Sequence, residues 1–568
     1  MHNNRGGYSL YRDRKAISSI SVRDYPVKII IAFIIFTCVF AYCDYGMNAG
    51  NSSDDFSHWG YIVKTMVDLG DFGTNQLSNA WFAYYPPGIS LLQYFFEEIQ
   101  IAICGNEFCD WGLFFSLHIL ILSMFVSVIN KGKSIAILTQ LLILFVVPMC
   151  FFQAYTGLIV DPVIAIIAGC SFAKIIIEKE KGDLYDVFIC LACSTLVLTK
   201  DVGILYACFI VLAYALDKIV VQNNGHLKRR ITLSVVIGIA SIIIPKILWI
   251  LKTDSSGIVR NFSSSVDVGT FFNVLLGNDV SYRANVLAKY RDRFFMSTPT
   301  IMSLWHKEGV TSNWGQFTFY TLCLVFIALS VYCVIKLNER EEQEYKRKSR
   351  KLTITIIWTV FVVYLVGLAN AYITNFSESE ASSLADYHRY LQLPYLMISI
   401  VIVSLVFRLI RGKELFKLYC LFVLVSIVIP NSYFIGYIDR QFNEESQART
   451  QAYESLGRQL SENCDESDRI LFITQEQKVY SYAATRYYSI PLELDLIDSS
   501  KWGSWFISES VLGENASDRL IDSFKEYDFV AICHFDTYLR NLFPYSFEIQ
   551  DNSLYKIEKQ SGVLTRVQ

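Results

Sequence analysis

Residues 28–60 read KIIIAFIIFTCVFAYCDYGMNAGNSSDDFSHWG: an unbroken apolar run, a short polar connection, and then a cluster of ionisable side chains. A helix needs roughly 20 apolar residues to cross the hydrocarbon core of a bilayer. The run meets that length and follows Arg12, Arg14, Lys15, Arg23 and Lys28. It carries no convincing small-residue cleavage site, so it reads as a signal anchor that stays in the protein. The pattern recurs along the chain in about eleven segments, near 28–45, 111–130, 134–152, 159–177, 186–200, 202–221, 231–250, 317–336, 353–372, 391–410 and 416–436.

Composition agrees. Of 568 residues, 53% are hydrophobic, 15% aromatic and only 18% charged, which argues against a soluble enzyme. The 50 Lys and Arg nearly balance 53 Asp and Glu, leaving no basic field for nucleic acid. Lys and Arg gather in cytoplasmic loops of membrane proteins. Here Lys131 and Lys133, Lys179 and Lys181, Lys228 to Arg230, the run Arg340 to Lys351, and Arg408, Arg411, Lys413 and Lys417 fill every second loop. The alternation predicts a cytoplasmic amino terminus and an extracytoplasmic carboxyl terminus, with residues 46–110, 251–316 and 438 onward outside.

The expected fold is mainly α: a polytopic transmembrane bundle over 28–437, a cytoplasmic segment over 1–27 and an extracytoplasmic α/β domain over 438–568. The last rests on a polar helical stretch, Glu444 to Leu460, and two short apolar runs, 469–474 and 527–534. Residues 478–512 between them are aromatic-rich and take no assignment. Most of the 14 cysteines sit singly in apolar runs as small hydrophobes; Cys104 with Cys109 and Cys464 with Cys533 are either bridged or free.

Ionisable groups at a membrane boundary are costly unless they work. Five patterns stand there. Asp54-Asp55-Phe-Ser-His58-Trp59-Gly60 offers a carboxylate to take a proton, or two groups to hold a divalent cation, and equally an ordinary helix start. Trp81-Phe-Ala-Tyr-Tyr85-Pro86-Pro87-Gly88 sets an extended turn before an amphipathic helix containing Glu97 and Glu98, framing a cavity. Asp161-Pro162 opens the fourth span. Lys200-Asp201-Val-Gly203 inserts a cation and an anion between two spans, either as a mutual pair or as a lipid-phosphate site. Asp386-Tyr-His388-Arg389-Tyr390 enters the tenth span, where Arg389 needs an anion, Asp386 or a phosphate.

In this order, the five patterns resemble those of the polyprenyl-phosphate-dependent membrane glycosyltransferases of the GT-C fold, especially bacterial relatives of the protein mannosyltransferase and aminoarabinose transferase families. The resemblance covers roughly residues 28–435. It implies a catalytic carboxylate at Asp54-Asp55, with Asp55 as the first choice, and donor phosphate binding by Lys200 and Arg389. His58, Tyr85, Asp161, His388 and Tyr390 would line the substrate cavity. Two departures are Asp55, where several relatives have Glu, and Gly88, where Leu is frequent.

The residues support that chemistry independently. Nucleotide sugars are cytoplasmic while every candidate acid and cation faces outward, so a sugar would arrive on a lipid carrier. The expected reaction is inverting transfer from a polyprenyl-phosphate sugar to a glycan, lipid or protein acceptor. A polymerase or ligase, suggested by Arg260, Arg283, Arg291 and Arg293 in the 251–316 loop, is one alternative. A lipid-linked glycan flippase is another, although neither internal repeats nor midplane charges are evident.

Overall fold

The structure, a computed structural model, describes residues 25–50, 53–78, 80–105, 108–130, 134–152, 154–178, 182–221, 228–258, 267–279, 281–298, 318–410, 432–475, 480–496, 516–534, 540–541 and 549–567. Helix α1 (Tyr25–Asp44) is the opening apolar run. A five-residue π-helical turn (Asp55–Trp59) leads into α2 (Gly60–Leu69). There follow α3 (Gly88–Cys104), α4 (Asp110–Val126), α5 (Ser134–Met149), α6 (Asp161–Ile177), α7 (Asp183–Thr199), α8 (Asp201–Val221) and α9 (Lys228–Ser255). Next come α10 (Val268–Leu275), α11 (Tyr282–Met296), α12 (Phe319–Glu339), α13 (Glu344–Thr374), α14 (Glu378–Ser383) and α15 (Tyr387–Leu409). The expected spans from the first to the tenth are all helices; most of the eleventh, 416–436, lies outside the described residues.

Among the described residues, six helices, α1, α8, α9, α12, α13 and α15, are long and apolar enough to cross a membrane. The chain is a multi-pass membrane protein. Its sequence is apolar on every face of α6 and most of α15, and such helices belong inside a bundle. Both are buried along nearly their whole length and pack on each other as its centre. By contrast α9 leaves Ile243, Ile244, Ile247 and Leu248 exposed, a belt suited to lipid tails. Helix α3 is two-faced: Ile89, Gln93 and Glu97, four apart, are buried, while Phe95, Ile99 and Ile103 are exposed.

The carboxyl-terminal domain follows α16 (Ser432–Ile438) and the long α17 (Gln441–Asn463). Its five-stranded sheet has the order β2-β1-β3-β4-β5. The two expected apolar runs are β1 (Ile470–Thr474) and β3 (Phe529–Cys533), paired in parallel with Ile470 opposite Phe529 and buried throughout. The aromatic stretch resolves in part into α18 (Tyr480–Tyr488) and β2 (Leu494–Leu496). After α19 (Ala516–Phe524), β4 (Ser553–Glu558) and β5 (Val563–Arg566) add antiparallel strands. Cys104, Cys109, Cys464 and Cys533 are free thiols.

Candidate active site

Segments separated by hundreds of residues meet at one end of the bundle. Arg389, two residues into α15, is the hub. Its Nη1 donates to Asp54 Oδ2 at 2.8 Å, its Nη2 lies 3.2 Å from Asp386 Oδ2, and its Nε lies 3.6 Å from Asp161 Oδ2. Asp161, the first residue of α6, is buried and takes a second cation: Lys200 Nζ donates to its Oδ1 at 3.0 Å. Tyr390 joins the two cations, accepting from Arg389 Nη2 at 3.0 Å through its hydroxyl, while its ring lies 5.6 Å from Lys200 Nζ.

Local geometry explains why Lys200 reaches Asp161 and not its neighbour Asp201. The backbone at Lys200 is fully extended between α7 and α8, so the two side chains diverge. Asp201 pairs instead with Lys246 of α9 at 2.7 Å. Gly203 lets this corner close, because a Cβ there would collide with the Leu196 carbonyl. Gly88, the departure after the two prolines, has a comparable reason: a Cβ would stand 2.9 Å from the Leu198 carbonyl oxygen. Glycine allows the Pro86-Pro87 turn to rest directly on the end of α7 beside Lys200.

Of the adjacent acids, only Asp54 faces the cluster. Its side chain is 29% exposed, whereas Asp55 has no exposed surface and its Oδ1 accepts the Leu158 N–H at 3.0 Å. His58 is buried beside the cluster, walled by Trp59, Phe82 and Tyr85 at ring distances of 4.6, 4.9 and 5.6 Å. Its Nδ1 is 2.8 Å from Ser57 Oγ. Burial, opposed by Asp54 but aided by Lys200 and Arg389, pushes its pKa down to about 4, so the imidazole is neutral at pH 7. Burial also raises the Tyr85 hydroxyl, keeping it a neutral donor. The Trp81–Pro87 segment is tied to α9 by Trp249, whose Nε1 donates to the Tyr84 carbonyl at 2.9 Å.

His388 does not join this group. Adjacent residues on a helix point about 100° apart, and with Arg389 turned inward His388 is exposed and packs its ring on Phe319 at 5.6 Å. The arginines of α11 also stay apart: Arg283 donates to the Ile373 carbonyl, Arg291 pairs with Asp292 and Arg293 donates to the Leu384 carbonyl. Arg260 lies outside the described residues. Among the described residues, no group of three or more His, Cys, Asp or Glu side chains is arranged to hold a metal ion.

A second buried polar group escaped the sequence reading. His118 Nδ1 lies 2.7 Å from Asp44 Oδ2, and Tyr437 donates its hydroxyl to Asp44 Oδ1 at 2.8 Å. The available signal was an acid and a histidine inside apolar runs.

No protein-family model matches the chain, and no curated protein does. Among solved structures it is similar to ArnT from Cupriavidus metallidurans in the apo state, at 11% identity and a TM-score of 0.41, over 90% of this chain and 94% of that one. It is also similar to the same protein bound to undecaprenyl phosphate, at 11% identity and a TM-score of 0.38, over 92% and 97%. A third similarity is to an Archaeoglobus fulgidus oligosaccharyltransferase in complex with zinc and sulfate, at 13% identity and a TM-score of 0.40, over 80% of this chain and 61% of that one.

Proposed function

We propose that the chain is a membrane glycosyltransferase of the GT-C type that moves a sugar from a polyprenyl-phosphate donor to an extracytoplasmic acceptor, inverting the anomeric centre. The observation that carries this reading is the convergence of Asp54, Asp161, Lys200, Arg389 and Tyr390. It unites an accessible carboxylate with two cations at helix ends, the depth at which a lipid phosphate lies.

In this reading Asp54, not the braced Asp55, is the general base. The acceptor O–H loses its proton to Asp54 as its oxygen bonds to the anomeric carbon. The bond from that carbon to the phosphate oxygen breaks, and its electron pair leaves with the polyprenyl phosphate. Lys200 and Arg389 stabilise the charge that develops on the leaving group. Three carboxylates and two cations give the resting cluster a formal charge of about −1 at neutral pH. Donor phosphate must therefore compete with Asp54 and Asp386 for Arg389, and its arrival releases Asp54 for catalysis. Neutral His58, Tyr85 and the surrounding rings shape the sugar side of the cavity.

The loop-charge alternation supports an extracytoplasmic placement of this end, which a reporter after Gln568 tests directly. A cytoplasmic signal there reverses the assignment. The test of the reaction is turnover by the purified protein with a panel of polyprenyl-phosphate sugars. Turnover that requires a nucleotide sugar would overturn the mechanism.

A further inference from the structure

The turn that presents Asp54 is held from outside the membrane bundle. Asn443 of α17 donates through Nδ2 to the Cys43 and Tyr45 carbonyls at 3.0 and 2.8 Å. One and two helical turns further on, Ser446 Oγ accepts the Asn48 N–H at 3.3 Å and Thr450 Oγ1 accepts Asn48 Nδ2 at 3.0 Å. Arg449 Nη1 and the Tyr480 hydroxyl both donate to the Gly50 carbonyl, at 3.1 and 2.7 Å. Asp110 bridges the same strip to α18, accepting the Ala49 N–H at 2.8 Å and the Tyr487 hydroxyl at 2.7 Å. Residues 43–50, the described part of the connection from α1 toward Asp54, thus run along one face of the carboxyl-terminal domain.

Two packing details close the clamp. Gly50 has φ +145°, a conformation that side-chain-bearing residues rarely adopt. A Cβ there would lie 2.8 Å from Thr450 Cγ2 and 3.1 Å from both the Phe56 ring and the Tyr480 hydroxyl, so α17, α18 and the π-helical turn meet at this one glycine. Phe56, within that turn, is fully buried in a cage of Tyr480, Tyr487 and Tyr488, at ring distances of 5.5, 5.2 and 5.8 Å. A general base misplaced by about 1 Å can lose on the order of a hundredfold in rate.

We infer that Asn443, Thr450 and Tyr480 of the carboxyl-terminal domain are positioning residues for Asp54, so that the domain completes the catalytic site by fixing the turn that carries its base. This rests on the glycosyltransferase reading above. The seam touches neither Lys200 nor Arg389, which stand on the α7–α8 corner and on α15. Loosening it therefore lowers turnover without weakening donor binding, and any loosening of the Asp54–Arg389 pair shifts donor affinity only toward tighter binding.

The experiment uses the full-length protein in lipid nanodiscs. Asn443→Ala and Thr450→Val remove seam bonds, Tyr480→Phe removes one hydroxyl alone, and Thr450→Ser keeps the hydroxyl. Arg458→Ala, on the exposed side of α17, is the control. Turnover number, affinity for a polyprenyl-phosphate sugar and hydrogen–deuterium exchange of residues 43–60 are measured on each. The expected result is a roughly tenfold or larger fall in turnover for Asn443→Ala and Thr450→Val. Donor affinity should not weaken by more than about twofold, with faster exchange confined to 43–60. Tyr480→Phe should shift in the same direction more weakly, and Thr450→Ser and Arg458→Ala should match the parent. Faster exchange at 43–60 without a fall in turnover would overturn the positioning role while leaving the function standing. Equal losses of donor affinity and turnover, or exchange raised throughout the domain, would also overturn it. If the parent protein transfers no sugar from any polyprenyl-phosphate donor, the functional reading fails separately. The exchange data alone then decide the seam: unchanged protection of 43–60 refutes it.

Discussion

Asp54→Asn distinguishes a catalytic base from an ordinary ion-pair partner, because the proposed reaction gives Asp54 two opposing effects. As the base it is required for turnover, and its loss should cost about 10²- to 10⁴-fold in rate. As a partner of Arg389 it competes with donor phosphate, so its neutralisation should tighten donor binding. The pair is short, 2.8 Å, but both side chains are partly wet, at 21% and 29% exposure. A Coulomb energy of about 6 kcal/mol at an effective dielectric of about 20 is an upper bound, and partial solvation lowers the net value to about 1–2 kcal/mol. That predicts donor binding about 5- to 30-fold tighter in the variant. Asp161 and Asp386 remain beside the guanidinium to keep it in place. Donor affinity by titration in nanodiscs and single-turnover transfer measure the two effects. Asp386→Asn is the matched control: that carboxylate is 52% exposed and takes no proton, so donor binding should tighten less and turnover should persist. Turnover within about threefold of the parent in Asp54→Asn, or weaker donor binding there, would refute the reasoning.

Lys200→Met should lower the melting temperature, since it leaves the buried Asp161 carboxylate with only the more distant Arg389 at 3.6 Å, and breaking a buried pair costs at most about 3–5 kcal/mol. Combining it with Asp161→Asn should recover much of that stability without restoring donor affinity, as thermal melts and donor titration would show. His58, held near pKa 4 against an ordinary 6.5, binds its proton in the unfolded chain first as pH falls. Its contribution, about 3 kcal/mol, is present above pH 6.5 and lost toward pH 4. His58→Gln should flatten the fall in melting temperature over that interval. Glu97, buried on α3 and pushed up to about 8 by burial, has the opposite sign: it favours the folded state below pH 4.5 and progressively less as pH rises to 8. Glu97→Gln should therefore raise the melting temperature at pH 8.5 and change little at pH 4, a difference that paired melts detect.

Much of this architecture was legible because its causes are local. Apolar length marked the helices that coincide with the first ten expected spans, and the runs 469–474 and 527–534 marked the two parallel strands β1 and β3 of the carboxyl-terminal domain. The ionisable motifs were equally visible, as was the fact that several were unlikely neighbours for lipid. What the pattern could not supply was rotational phase. Asp54 and Asp55 are chemically equivalent candidates in a sequence, and His388 and Arg389 are both candidates for the cavity, yet helical geometry turns adjacent side chains about 100° apart. Packing then decides which one faces the cleft. Here the Leu158 amide takes Asp55 and the Phe319 ring takes His388, leaving Asp54 and Arg389 to meet.

The same limit explains the carboxyl-terminal domain, whose polar helix was visible in the sequence but gave no hint of what it would grip. Asn48 and Thr450 are separated by 402 positions, and neither stands out in its own segment. Their importance comes from the peptide that leads to Asp54. That segment leaves the membrane with exposed carbonyls and amides but forms no regular helix or strand over residues 45–50, so its backbone groups need partners from elsewhere. An amphipathic helix with Asn, Ser and Thr at positions 443, 446 and 450 supplies them at helical spacing. The motif chemistry therefore lies between Asp54 and Tyr390, while in this proposal the rigidity that it demands comes from the carboxyl-terminal quarter.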